Sequence, residues 1–577
     1  MTSLPIHLHS FNRNNAVAFD SEKTEVIQFP GRRRETAAVV NVNGTPVEPA
    51  EHIRWLGVHL DPRLNFQHHV TQWCGNAMKV AQHMRRFNSA YRGAAPMPLV
   101  RAVDACIVPV ATFGSDVWWP GLKRPTLRGI STPSTTNMRS MIDKAILMGL
   151  RAALPVMRTT PNVVLHREAG IPPAKILLEG NRIRVAARLK SLNKQHPWRS
   201  RASVCPNAGT QKHKKKKKGT ARPELQMSRV QRAFQQLPES EAPDIIPTPI
   251  YVPALGTRET ETEACTRWIK NVPGREICAY ADGSSEGHGR SAWGFVLKRE
   301  GTTFFRGSAI PHGGEVLDAE IIGAKNALEA ALSFVEEEQR KFGDTKQRIH
   351  VLLDSQQAVK ILITGTSSSS LKDVRSFHAL SKTAEVFVKW VPGHSGIQGN
   401  VEADSIARSA LRGLPNLEIK PGLLTLAYLR RLMNQRQQAL LDNWWEEACP
   451  SRYRELDLLM RRRKPPELAL SRRLLRELIA ARTGHGNFAA YYRRFQFSDA
   501  PTECTCGEET TPTLFIHYRL HTNITRKLRK SMSHNDFINK LLGPKSLRSF
   551  TIFAQETGCF NSQTAGQSTA LSGDRIN

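Results

Sequence analysis

An α/β fold, in which a mixed sheet is covered by helices, is the class predicted for the middle of this 577-residue chain. Three observations predict it. Short β-prone runs separated by turn residues open the segment 275–413; apolar residues then recur at helical spacing; and beyond them strand-like and helix-like runs alternate to the end of the segment.

The β-prone runs are Ile277-Cys278-Ala279-Tyr280-Ala281, Ala292-Trp293-Gly294-Phe295-Val296-Leu297 and Thr302-Thr303-Phe304-Phe305. Gly-containing or charged turns separate them, so an antiparallel meander is expected. After Val316, apolar residues fall at Ile321, Ala324, Leu328, Ala331 and Val335, one buried helix face. A strand over 349–353, a helix over 356–363, a strand over 385–391 and a closing helix over 400–411 complete the order βββαβαβα.

At about 100–200 residues per domain, the length allows roughly three to five units. Residues 1–195 read as a folded region, with a half-buried strand at 25–29 and helices at 70–90 and 138–152. Composition then shifts. Residues 196–274 carry Lys214-Lys215-Lys216-Lys217-Lys218 and a Pro/Glu/Thr-rich run, which predicts a linker broken only by a short helix around 227–236. Residues 414–534 read as helical and very basic, with Trp444-Trp445, Arg461-Arg462-Arg463-Lys464 and Arg472-Arg473 among leucines. The Ser/Thr-rich end, 535–577, reads as a disordered tail.

Lys and Arg number 82 against 51 Asp and Glu, a net charge of +31 that favours polyanionic partners such as RNA and DNA. Between Arg275 and Arg412 the two signs balance, so the excess lies in the flanks, which are expected to grip nucleic acid. Nine cysteines without disulfide-framework spacing point to a reducing compartment. The first residues, MTSLPIHLHSF, do not resemble a signal peptide, and no run reaches the ~18 apolar residues of a membrane span. A soluble, intracellular protein without a membrane partner is expected. The Lys214 to Lys218 run fits either nuclear import or RNA-phosphate contact, so the nucleus and the cytoplasm both stay open.

Four acids occupy unusual positions. Asp282 ends the first strand beside Gly283, Glu320 sits in the first turns of the long helix, Asp354 follows a wholly apolar strand and Asp404 opens the last helix. A carboxylate at the end of an apolar strand is costly to bury unless paired or bound to metal. If the strands ending in Asp282 and Asp354 are neighbours, their carboxylates lie side by side and demand a cation. Four such acids form a hard oxygen cage for two Mg²⁺ ions, or Mn²⁺, the chemistry of phosphodiester hydrolysis. Taken singly, each acid has a bland reading as a turn former, a helix-dipole partner or a cap.

Tyr280-Ala281-Asp282-Gly283-Ser284, Asp318-Ala319-Glu320, Leu353-Asp354-Ser355, the run Val391 to Asn400 containing Gly393-His394-Ser395-Gly396, and Ala403-Asp404 together resemble the signature set of ribonuclease H type 1. The resemblance spans about 275–413. It implies a ribonuclease H-like mixed five-stranded sheet with flanking helices, two Mg²⁺ ions held by Asp282, Glu320, Asp354 and Asp404, and His394 assisting proton movement or product release. Glycines flanking His394 let its backbone reach over a site, and imidazole titrates near neutral pH. One departure stands out: Val401 follows Asn400, and the acid comes a place later at Glu402, which leaves Asp404 in register.

The runs from Phe19 to Glu25, Trp55 to Asp61, His69-Val70 and Phe113 to Trp119, followed by such a unit, resemble the palm end and thumb of reverse transcriptases from non-LTR, LINE-type retrotransposons of the fungal kind. This resemblance covers most of residues 11 to 530. The paired aspartates a polymerase needs are not found before Lys23, so no polymerase activity is expected from this chain alone. Cys504-Thr505-Cys506-Gly507 resembles the start of the zinc knuckle such elements carry. Cys504, Cys506, His517 and His521 are suitable ligand types, but the CxC spacing is tight and the register shifted, so a vestigial knuckle without Zn²⁺ is the expectation. The predicted activity is endonucleolytic cleavage of the RNA strand of RNA–DNA hybrids. The alternative is a non-catalytic nucleic-acid-binding remnant of the same element.

Overall fold

A computed structural model of the chain describes residues 2–3, 23–29, 39–42, 45–88, 93–122, 124–126, 129–131, 136–203, 233–237, 258–287, 290–310, 313–343, 347–412, 424–497, 502–503, 509–511, 533–544 and 546–557. Two compact units emerge, one formed by Ile183–Arg436 and the other by Met1–Arg182 with Gln437–Asn577.

The first unit is built on a five-stranded sheet. In chain order its elements are β1 (Ile277–Gly287), β2 (Arg290–Arg299), β3 (Thr302–Ala309), α1 (Val316–Phe342), β4 (Arg348–Leu353), α2 (Gln356–Thr364), α3 (Leu371–Leu380), β5 (Glu385–Trp390) and α4 (Gln398–Arg412). The strands lie in the order β3-β2-β1-β4-β5. The meander β1-β2-β3 is antiparallel, whereas β4 is parallel to both β1 and β5. Alternation along β1 assigns its two faces. Ile277, Ala279 and Ala281 join the core under α1, where Ile321, Ala324, Leu328, Ala331 and Val335 are buried as their spacing predicts. Cys278 and Tyr280 face the opposite way, toward Ile397 and Ala403.

Two expectations for this unit are corrected. The observed order is βββαβααβα, because α3 was not anticipated: its apolar face is only Leu371, Val374 and Phe377, and it follows a serine run that reads as loop. The stretch 196–274 is not all linker. Residues Arg258–Lys270 are helical, and Cys265 and Trp268 pack beneath β1 and β4 with Cys278, Tyr280 and Leu352. Ala233, Phe234 and Leu237 enter a small core with Ile183, Ala187 and Leu429. The remainder of the expected 227–236 helix, and Lys214 to Lys218, lie outside the described residues.

The second unit has one continuous core assembled from both ends of the chain. Helices Gln67–Arg85 and Thr136–Ala153 form near the expected places. The expected strand at 25–29 is reduced to a single bridge between Val26 and Pro49. Val70, Ile107, Ile146 and Leu165 share their core with Leu441, Trp445, Leu475 and Phe553. Residues 535–557 are therefore not tail: His534–Leu542 and Ser546–Thr557 are helices, and Phe537, Leu541, Phe550 and Phe553 are buried. Ser and Thr interspersed in the second of these helices masked that apolar stripe. Among the described residues no helix is long and apolar enough to cross a membrane.

Candidate active site

Parallel pairing sets two acids side by side. Leu352 of β4 stands opposite Tyr280 of β1, so two residues further along each chain, Asp354 and Asp282 leave the sheet at the same edge. Glu320 arrives from α1. Gly283 permits the approach, since a Cβ there would stand 2.8 Å from the Glu320 backbone nitrogen and 2.9 Å from the Val316 carbonyl oxygen. Asp282, Glu320 and Asp354 each present a carboxylate oxygen within 4.8 Å of the others.

Electrostatics there are strained. Burial, then the charges of Asp354 and Asp404, push Asp282 up to about 7, although the Gly283 N–H donates to its Oδ1 at 2.8 Å and a hydrogen bond from Glu320 helps the charged form. Glu320 is raised well above the usual carboxylate range by burial, by Asp282 and Asp354, and by that hydrogen bond. Its Oε2 is buried with no hydrogen-bond partner. Such a trio holds either protons or divalent cations, because three ionised carboxylates at this spacing repel. An all-oxygen donor set suits Mg²⁺ or Mn²⁺.

The other expected residues are placed differently. Asp404, on α4, acts on Asp282 through its charge but does not join the trio; its Oδ1 forms an ion pair with Arg408, 2.8 Å from Nε and one helical turn on. His394 is exposed on the turn after β5, with a left-handed φ of 56°. Glu402 points away from the site, to Lys298 at 2.7 Å and Thr303 at 2.8 Å, tying α4 to β2 and β3. Cys504, Cys506, His517 and His521 lie outside the described residues.

Two residues inside the quoted motifs, Asn400 and Asp318, have supporting roles that the motifs alone do not assign. Asn400 Nδ2 donates to Asp354 Oδ2 at 3.1 Å, and Gly393 lies so close that a Cβ would stand 2.6 Å from the same oxygen. Asp318, two residues before Glu320, is fully buried and accepts from the Glu315 N–H at 2.8 Å, Ser369 Oγ at 2.6 Å, Ser370 Oγ at 2.7 Å and Thr425 Oγ1 at 2.7 Å. It fastens the first turn of α1 to the serine run before α3 and to residues beyond α4. Its partners are hydroxyls distant in sequence, which leave no local pattern.

Residues 274–412 match the RNase H family model, and this segment is an RNase H domain. Among solved structures, the N-terminal RNase H domain of a Mycobacterium tuberculosis protein, fused to maltose-binding protein, is 21% identical with a TM-score of 0.21, covering 24% of this chain and 94% of its own. RNase H1 from the halophilic archaeon Halobacterium salinarum is 27% identical with a TM-score of 0.20, covering 24% and 98%. LC11-RNase H1, isolated from compost and solved in complex with an RNA/DNA hybrid, is 22% identical with a TM-score of 0.21, covering 24% and 100%.

Proposed function

We propose that this protein hydrolyses the RNA strand of RNA–DNA hybrids endonucleolytically, as a type 1 ribonuclease H, at a site formed by Asp282, Glu320, Asp354 and Asp404. One observation carries the proposal: inside a segment that matches RNase H, Asp282, Glu320 and Asp354 converge to within 4.8 Å although far apart in sequence. Their oxygen donors, and the unpartnered Oε2 of Glu320, fit two Mg²⁺ or Mn²⁺ ions. Such ions, when bound, supply charge compensation for the attacking and departing oxygens at phosphorus.

The chain's own residues do the remaining work. Asp282, Glu320 and Asp354 provide the central ligands, and Asp404 completes the set by exchanging its Arg408 partner. Asn400 holds the Asp354 carboxylate in place. Water adds to phosphorus and gives up a proton to the solvent, the bond to the 3′ oxygen breaks and that oxygen takes up a proton, leaving a 5′ phosphate and a 3′ hydroxyl, with His394 assisting this proton movement or the release of product. Hybrid recognition rests on 2′-hydroxyls and minor-groove shape, with affinity drawn from the basic flanks. The flanks themselves belong, in this reading, to a non-LTR retrotransposon reverse transcriptase.

The test is cleavage of an end-labelled hybrid by the full-length protein. Mg²⁺-dependent cutting is expected, with Asp282→Asn lowering the rate by at least about a thousandfold. Cutting that persists unchanged in that variant would refute the site. A second reading, a nucleic-acid-binding remnant that no longer cuts, is favoured by the ion pair between Asp404 and Arg408. It wins if the wild-type protein binds hybrid and leaves it intact.

A further inference from the structure

The unit that contains both chain ends carries an open cleft of about 680 Å³, lined by Arg167, Leu459, Arg461, Arg463, Lys464 and Pro465 among others. Its shape follows from Gly170, which ends the helix Asn162–Ala169 with φ 61°; a Cβ there would collide with the Arg463 carbonyl oxygen. The loop carrying the basic run is thereby laid against the helix end. Proline rings at 465 and 466, and Pro544, stiffen the walls.

The cleft is positive through Arg461 and Arg463, because the other basic groups of its lining are paired. Glu168 and Glu467 are occupied by Arg482, at 3.1 and 2.8 Å. Arg167 pairs with Glu168 at 2.9 Å, yet its buried Nε has no partner, and the side chain is only 6% exposed. Lys464 pairs with Asp104 at 2.8 Å. Arg461 and Arg463 are exposed and make no hydrogen bond or ion pair with any described residue. Acceptors stand among the donors: Asp457 is exposed in the lining, and Glu467 Oε2 is buried without a partner.

We infer that this cleft binds single-stranded RNA. A cleft of this volume is of the size that takes small ligands and a strand segment, not a duplex. Two unengaged guanidinium forks match the oxygens of successive phosphodiesters, and the Arg167 Nε adds a donor at the floor. Leu459, half exposed, gives apolar surface to a base face. Anion binding alone would be served better without acids. Asp457 and Glu467 Oε2 make sense as acceptors for the 2′-hydroxyl, which RNA has and DNA lacks. The inference goes beyond the nuclease reading, which assigns the basic flanks to hybrid affinity without naming a site, and no residue of the RNase H domain enters it.

The test measures binding of a short, unstructured, fluorescent RNA, and of DNA of the same sequence, to full-length protein in EDTA. RNA is expected to bind more tightly than DNA. Arg461→Ala with Arg463→Ala should weaken RNA binding about tenfold and lower the slope of log K against log salt by roughly 1.4, or ~0.7 for each phosphate no longer neutralised. Asp457→Ala should shrink the RNA-over-DNA ratio, whichever way the absolute affinities move. The exposed pair Arg85 and Arg86, at the C-terminal end of another helix of the same unit, serves as a control for general charge. A loss in the cleft variant no greater than in Arg85→Ala with Arg86→Ala overturns the site, and equal binding of RNA and DNA overturns the ligand. All four arginines are exposed, so an unchanged urea midpoint certifies folding of each variant.

Discussion

Asp282 is charged only at a cost, because burial and the neighbouring carboxylates of Asp354 and Asp404 all oppose it. Its folded value near 7 exceeds the usual ~3.9, so the folded state binds the extra proton between those limits and loses that stabilisation as pH rises through about 7. Asp282→Asn removes the penalty. In EDTA the variant should melt about 3–8 °C above wild type at pH 8, and the gap should narrow to roughly half by pH 5.5, while hybrid cleavage disappears at both. Comparing the two proteins cancels the titration of the histidines; a constant gap in calorimetry would contradict the assignment. Asn400 offers a second check. Asn400→Ala frees the Asp354 carboxylate, and cleavage is expected to fall ~10–100-fold with a higher Mg²⁺ requirement. A changed rate at unchanged Mg²⁺ dependence would mean that Asn400 acts elsewhere.

At the scale of elements, the anchoring of α1 decides where Glu320 stands. Asp318 collects hydroxyls from Ser369, Ser370 and Thr425, so the first turn of α1 depends on the loop before α3 and on a residue outside the matched segment 274–412. Thr425→Val keeps the shape and removes one donor from a buried carboxylate. It should destabilise the protein by about 1–3 kcal/mol, measured by urea titration, whereas Thr425→Ser should restore most of it. The strand ends and long helix that carry Asp282, Glu320 and Asp354 were legible because apolar runs end in acids there. What stayed hidden depended on tertiary partners. The short apolar face of α3, with Val374 and Phe377, gains its meaning in the core it shares with α1 and α2. The stripe of Phe550 and Phe553 was diluted by Ser and Thr, and the run at 25–29 alternates like a strand without finding a second strand to pair with beyond one bridge.

Across the whole molecule, basic residues divide by burial more than by position in the chain. Within 414–534, Arg472 donates to the carbonyls of Ala94 and Ala153, and Arg482 is completely buried, so neither is available to a polyanion. Arg482 joins segments that lie far apart in the sequence. Its guanidinium meets Glu168 and Glu467 and donates to the carbonyls of Leu542 and Gly543, while Tyr453 donates to Glu168 at 2.7 Å. A buried ionic hub is a weak source of net stability, but removing one partner strands the others in a medium that cannot solvate them. Arg482→Met should therefore cost about 3–5 kcal/mol in urea-induced unfolding, more than most core truncations of similar size. Adding Glu467→Gln to it should recover much of the loss, because Glu168 keeps Arg167 as its partner and no uncompensated charge remains. If the double variant is no more stable than Arg482→Met, the hub works through shape and carbonyl contacts instead, and charge balance is not what joins the two ends of the chain.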